Sequence, residues 1–256
     1  MKKNELIKRI FKKTFGLTLY KKIPFGIDPL DDIKFYFPEN KINIFFDVGA
    51  NIGQTVASIR EHFQNESIYS FEPFKNTFEI LKKNTSTQNV KCFNVGLGAK
   101  SGVMSVNTNE GVDKSDLNSI LNQPENHSLS EQITITTLNE FCISNDISTI
   151  GFLKIDTEGY DLEVLKGGSD MLLNQKIDFI EVELGMNPEN KFHIGFEEVK
   201  AYLQNHDYRI FGIYSQVLEW PTKSPILRRT DVVFISNTLA KKHTLNSQGF
   251  YTINKS

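Results

Sequence analysis

Asp47, Gly49 and Gly53 form a D-x-G-x-x-x-G turn directly after an apolar run, and Glu72 closes the next apolar run, 19 residues beyond Gly53. Glycine has no Cβ, so a turn built on it can approach a ligand closely. A helix opening near Gly53 would point free N–H groups at that ligand. A carboxylate about 20 residues past such glycines is where ribose hydroxyls are held in doubly wound nucleotide-binding folds. A nucleoside-bearing ligand is therefore expected against the turn of Gly49 and Gly53, with Glu72 on its ribose. The glycine spacing is not the G-x-G-x-x-G that admits a pyrophosphate. Asp47 and Asn51 crowd that place, and an acidic turn repels diphosphate but tolerates a cationic sulfonium. The expected ligand is S-adenosylmethionine, with NAD as the rival.

A second set of acids converges on the same place. Lys154-Ile155-Asp156-Thr157-Glu158-Gly159 ends a later apolar run, and Glu181-Val182-Glu183 ends the one after it. Alternation puts Glu181 and Glu183 on one side of their strand. Charged groups closing buried strands are costly unless used or paired, so Asp47, Glu72, Asp156 and Glu183 are expected to line one crevice. Lys154 is read as the ion-pair partner of one of these carboxylates or as a catalytic lysine. Glu158 is read as helix capping or as a substrate contact, with Thr157 available as a cap. His193 lies in the polar stretch 191–195, where a lone histidine is usually a surface residue. Asp156 and Glu183 have the chemistry to share Mg²⁺ with waters, but no resident metal is expected, and no His/Cys spacing supports zinc.

The elements that must position these residues follow from hydrophobic runs. Strands are expected at 42–48, 67–71, 90–95, 151–155, 177–184, 208–214 and 231–235, with helices at 53–63, 75–84, 161–173 and 196–205. Such alternation predicts an α/β fold with a parallel sheet covered on both faces. The last two strands have only a loop with Pro221 and Pro225 between them and should pair antiparallel at one edge. Residues 104–108 and 133–137 read as short strands around a long polar stretch, an inserted hairpin or lid.

Composition adds bounds. The chain has 256 residues, a net charge of −2 and a pI near 6.2, which gives no field for nucleic acid. Cys92 and Cys142 sit in apolar surroundings and read as buried thiols of a reducing compartment. No apolar run reaches membrane-spanning length and no signal-peptide core is evident, so a cytoplasmic location is expected. The divisions expected are a lead-in over 1–40, the ligand-binding domain over 41–238 and a tail over 239–256. Within 2–15, Leu6, Ile7, Ile10, Phe11 and Phe15 share one helical face, and Lys2, Lys3, Lys8, Arg9, Lys12 and Lys13 cover the other. Such a helix either packs on the domain or makes peripheral contact with an anionic membrane at its inner face; packing is the commoner outcome.

F-D-V-G-A-N-I-G-Q (46–54), F-E-P (71–73), F-N-V-G-L-G (93–98), L-K-I-D-T-E-G-Y-D-L-E-V-L-K-G (153–167) and T-D-V-V-F-I (230–235) together resemble the FkbM family of methyltransferases. The resemblance implies a class I methyltransferase (Rossmann-like) fold, with a seven-stranded, mostly parallel sheet and an antiparallel last strand. It implies S-adenosylmethionine as donor and a hydroxyl of a sugar or polyketide-type ring as acceptor, often in surface-glycan biosynthesis. It implies that Asp47, Gly49, Ala50, Asn51, Gly53, Gln54, Thr55, Glu72, Pro73, Asn94 and Asp156 hold the cofactor, and puts Asp156 and Glu158 near the reacting centre. A hydroxyl acceptor calls for a base; Asp156 is the first choice, with Glu183 and His193 as alternatives. A small-molecule or glycan acceptor, and no nucleic acid, is the expected partner. The alternatives to an O-methyltransferase are an NAD-dependent oxidoreductase and a non-catalytic module docking on a membrane or glycan-assembly complex.

Overall fold

The computed structural model describes residues 9, 11–18, 20, 23–108, 129–190, 192–219 and 222–243. Among the described residues, elements run in the order α1 (Pro29–Tyr36), β1 (Ile44–Val48), α2 (Gln54–His62), β2 (Ser67–Phe71), α3 (Lys75–Thr85), β3 (Val90–Phe93), β4 (Gly96–Leu97), β5 (Gly102–Thr108), β6 (Leu129–Thr136), α4 (Leu138–Ser144), β7 (Ile150–Ile155), α5 (Asp161–Gly167), α6 (Ser169–Leu173), β8 (Ile177–Gly185), α7 (Phe196–Asn205), β9 (Tyr208–Glu219) and β10 (Ser224–Ser236). The main sheet has seven strands in the order β3-β2-β1-β7-β8-β10-β9. Pairing is parallel from β3 to β8, and β10 is antiparallel to both its neighbours.

Both faces of this sheet are covered because its central strands carry apolar side chains on both sides rather than at every second position only. Phe45 and Phe46 show the consequence. As sequential strand residues they point to opposite faces, and each is fully buried in a different core. Phe45 packs with Val56, Phe152, Phe179 and Val233, and Phe46 with Phe71, Leu153, Val182 and Phe234. Burying one such ring is worth about 2–3 kcal/mol. The strand order reverses between β1 and β7, so a crevice opens outside their carboxyl ends.

The inserted segment forms a second sheet, β4-β6-β5, in which β5 and β6 are an antiparallel hairpin and β4 pairs parallel to β6. The expected lid at its tip lies outside the described residues. Of the basic segment 2–15, residues 9 and 11–15 are described as helical; Phe11 and Phe15 are exposed rather than packed on the domain.

Four expectations are corrected. The helix expected over 161–173 is split into α5 and α6 at Gly167 and Gly168. A Cβ on Gly167 would collide with the Gly98 carbonyl, and one on Gly168 would come within 2.6 Å of Leu138. The last two strands are 12 and 13 residues long, and Pro225 lies inside β10 rather than in a loop. Their outer halves pair only with each other, through a register shift between Ser224 and Leu227 that spares a proline the missing donor. Helices α1 and α4 were not expected, although both carry start signals. Asp28 caps α1 ahead of Pro29, and Thr137 accepts a hydrogen bond from the Glu140 amide in the order T-x-x-E. Cys142 is buried, with its thiol pushed up to about 12 by burial, but Cys92 is only half-buried.

Candidate active site

The crevice is a cavity of about 410 Å³, within the usual range for small-molecule sites. Ala50, Asn51, Gln54 and Thr55 line it from the turn after β1, and Glu72 and Pro73 from the end of β2. Asp156 and Glu158 line it from the turn after β7, and Glu183 and Arg229 from the paired ends of β8 and β10. An apolar wall of Phe74, Leu97 and Ile135 comes from α3's entry and the small sheet. Asp47, Gly53, Asn94 and His193 do not line it.

The protein's own packing requires Gly49 and Gly53. Gly49 has φ +82°, and a Cβ there would run into the Asp156 carbonyl. Gly53 has φ +99°, and its Cβ would meet the Thr85 methyl at 3.0 Å. The turn after β1 is thereby clamped to β2, with the Gly49 and Ala50 amides donating to the Phe71 carbonyl at 3.1 and 3.0 Å. Below it Asp47 is fully buried on β1, flanked in register by Ser70 and Lys154. No hydrogen bond of normal geometry reaches either of its oxygens. The Thr55 and Ser70 hydroxyls lie near enough to favour the ionised form, but burial outweighs them and Lys154 and pushes this carboxyl up to about 6.

Glu72 is the hinge between the first two strand ends. Its carboxylate accepts the Asn51 amide at 3.1 Å and the Phe74 amide at 2.9 Å. Burial nonetheless raises it to about 7, because two backbone donors do not replace a full hydration shell. Asn94 donates to the Glu72 and Pro73 carbonyls at 3.0 and 2.8 Å, so it shapes this corner from behind.

On the opposite wall the salt-bridge reading of Lys154 is realised. Its ammonium lies 2.8 Å from Asp156 Oδ2. Burial alone would raise Asp156 and lower Lys154. Their mutual attraction, helped at Lys154 by Glu181 and Asp47, reverses both: Asp156 is held down and Lys154 up. Glu181 itself is pushed up to about 8 by burial.

Glu158 sits in the left-handed region at φ +51°. Thr157 is not a cap. The buried Asp161 accepts the Thr157 and Gly159 amides at 3.0 and 3.1 Å and so fixes the turn that presents Glu158. Burial, then the charge of Asp156, raises the Glu158 carboxyl above its ordinary value.

His193 is not a surface residue. Its Nε2 lies 2.8 Å from Glu183 Oε2 and 3.6 Å from Glu158 Oε2, and Asn190 Nδ2 lies 2.9 Å from its Nδ1. Glu183 is also ion-paired with Arg229. The ligand atoms of Glu158, Glu183 and His193 lie within 4.8 Å of one another. Arg229, however, already competes there for Glu183. Arg229, Asp161 and the apolar wall were missed in the sequence. The one available signal was Arg228-Arg229 entering the strand beside β8.

This arrangement suits a ligand with a flat apolar ring, a sugar and a cationic end. The apolar wall borders Glu72, and the acids of the far wall outnumber the cations. A diphosphate would face Glu72, Asp156, Glu158 and Glu183 with only Lys154 and Arg229 in compensation, both already paired.

A family model described as the methyltransferase FkbM domain matches residues 47–210. The hexuronic acid methyltransferase AglP of Haloferax volcanii is 29% identical over 152 residues, covering 58% of this chain and 59% of that protein. Methyltransferase 1 of Beauveria bassiana is 25% identical over 170 residues, covering 58% of this chain and 66% of that protein. The chain thus spans roughly three-fifths to two-thirds of the length of these curated relatives. Among solved structures, M. capricolum TrmK in complex with S-adenosylhomocysteine aligns at a TM-score of 0.47 and 12% identity, covering 81% of this chain and 67% of that one. Among the described residues no helix is long and apolar enough to cross a membrane.

Proposed function

The chain belongs to the FkbM methyltransferase domain family, and from that premise we propose that it methylates a hydroxyl of a sugar or glycan precursor, with S-adenosylmethionine as donor. The observation that carries the reading is the buried Glu72 carboxylate, fixed by two backbone amides on the wall of an acidic cavity at the carboxyl ends of β1 and β2. Such a group can take ribose hydroxyls, while the acids around it favour a cation over a diphosphate. The likeness to the Haloferax protein, a hexuronic acid methyltransferase, supports a sugar acceptor.

When bound, the donor supplies an electrophilic methyl group on a sulfonium. In this reading Glu72 holds its ribose, the Gly49–Thr55 turn holds its amino-acid end, and Phe74, Leu97 and Ile135 cover its ring. Positioning of the two partners supplies several kcal/mol of the barrier. Glu158 takes the acceptor's proton. Burial and the neighbouring Asp156 charge raise its carboxyl above the ordinary value, whereas Asp156 is held down by Lys154 and is the weaker base. His193 has Asn190 at Nδ1 and Glu183 at Nε2, so both ring nitrogens are already engaged. It orients Glu183, and Arg229 closes that side.

Calorimetry with S-adenosylmethionine and with NAD, followed by methyl transfer to a panel of hexoses and hexuronic acids, tests the reading. Saturable heat with the sulfonium donor alone, and product on a sugar hydroxyl, are the expected results. Binding of NAD in its place would overturn it.

A further inference from the structure

We propose that the lead-in ahead of β1 is a docking surface for an anionic lipid bilayer. Eight of the 29 Lys and Arg residues but one of the 31 Asp and Glu residues fall in residues 1–22. That segment carries +7 and the remaining chain −9, so the charge is segregated rather than mixed. Among its described residues Arg9, Lys12 and Lys13 are exposed.

Large apolar side chains are exposed beside them. Phe11 and Phe15 touch, with ring centroids 5.5 Å apart, and are 37% and 63% exposed. A second group follows, in which Phe25 contacts Tyr36 and Tyr36 contacts Phe35, and all three rings are exposed. This second group is anchored. Phe25 also packs edge-on against Phe211, the Gly26 amide donates to Asp32 at 2.7 Å, and Tyr214 donates to the same carboxylate at 3.1 Å. The rings are therefore held outward by the domain. The nearby acids Asp28 and Asp31 turn to His62 Nε2, at 3.6 and 3.3 Å.

Rings that can enter the headgroup region, interleaved with lysines that an anionic leaflet attracts, are the two signals stable peripheral binding needs. A protein partner is the less suited occupant, because the net charge of the segment is so one-sided.

Vesicle flotation of the full chain tests this, with phosphatidylcholine alone and with phosphatidylcholine mixed with phosphatidylglycerol. The chain is expected to float only with the anionic vesicles and to be released by high salt. Phe11→Ser/Phe15→Ser and Lys12→Glu/Lys13→Glu should each lower the bound fraction at least about fivefold. Ile143→Ser, which removes an exposed side chain from α4, should bind like the wild type. Unchanged melting temperatures show that the variants fold. Failure to float with anionic vesicles, or equal flotation of the lysine variant, would overturn the proposal. So would loss of self-association in the phenylalanine variant without any flotation, which would make the face a contact between copies. None of these readouts depends on methyl transfer.

Discussion

The Lys154 ammonium and the Asp156 carboxylate, two residues apart on the end of β7, meet at 2.8 Å beneath the turn that carries Gly49. The pair neutralises a lysine that would otherwise be a buried cation at the centre of the sheet.

Asp156→Asn should therefore act on stability as well as turnover. Breaking a buried pair costs about 3–5 kcal/mol; Asp156 is 34% exposed on its side chain, which reduces the expected loss to about 2 kcal/mol. Denaturant unfolding reads it. A second substitution, Lys154→Met, should restore most of the loss, because it removes the stranded cation.

Glu158→Gln should lower kcat by about a hundredfold or more, with donor affinity within about twofold of wild type. His193→Gln should raise KM for the acceptor more than it lowers kcat, since in this geometry it orients Glu183. Steady-state kinetics at saturating donor separates the two. Equal turnover of Glu158→Gln and wild type would return the base to Asp156.

Gly49→Ala forces an L side chain into the left-handed region, at about 1–2 kcal/mol, and drives its Cβ against the Asp156 backbone. The strand end must shift, so a fall in Tm of about 10 °C is expected. Gly53→Ala should cost less, because it meets only the Thr85 and Leu81 side chains at 3.0 and 3.3 Å. Calorimetric melting compares them.

Glu72 should make stability and donor binding depend on pH in opposite directions. Below its ordinary value of 4.5 the group is protonated folded and unfolded, and costs nothing. As pH rises the unfolded chain ionises first. Stability therefore falls up to the folded value of about 7 and then levels, by about 3 kcal/mol at most. Glu72→Gln should remove that share of the fall between about pH 4.5 and pH 7. Donor affinity of the wild type should rise through about pH 7 as the carboxylate becomes a better acceptor, and the variant should show no such rise.

Much of the cavity wall was legible in one dimension because a parallel strand delivers its last residues to a known edge. Glu72, Asp156 and Glu183 each end an apolar run, and each lines the crevice. Gly49 and Gly53 were legible as a turn, but the packing that also requires them was not, since the contacts that exclude a Cβ come from residues 28 to 107 positions away in the chain. Asn94 and Asp47 were legible as belonging to the site but stand behind its wall. Helices α1 and α4 were missed although Asp28-Pro29 and T-x-x-E announce them, because their apolar spacing is short.

By itself the chain determined the alternation of strands and helices, the edge where acids collect and the segregation of positive charge at its start, because these depend on residue order and on periods of two and 3.6. Only the tertiary structure decided who pairs with whom. Lys154 takes Asp156 rather than Asp47, Glu183 is shared by His193 and Arg229, and Asp161 holds the turn that presents Glu158. Those pairings separate a carboxylate held down from one pushed up, and they depend on burial and on distances across strands that no local spacing encodes.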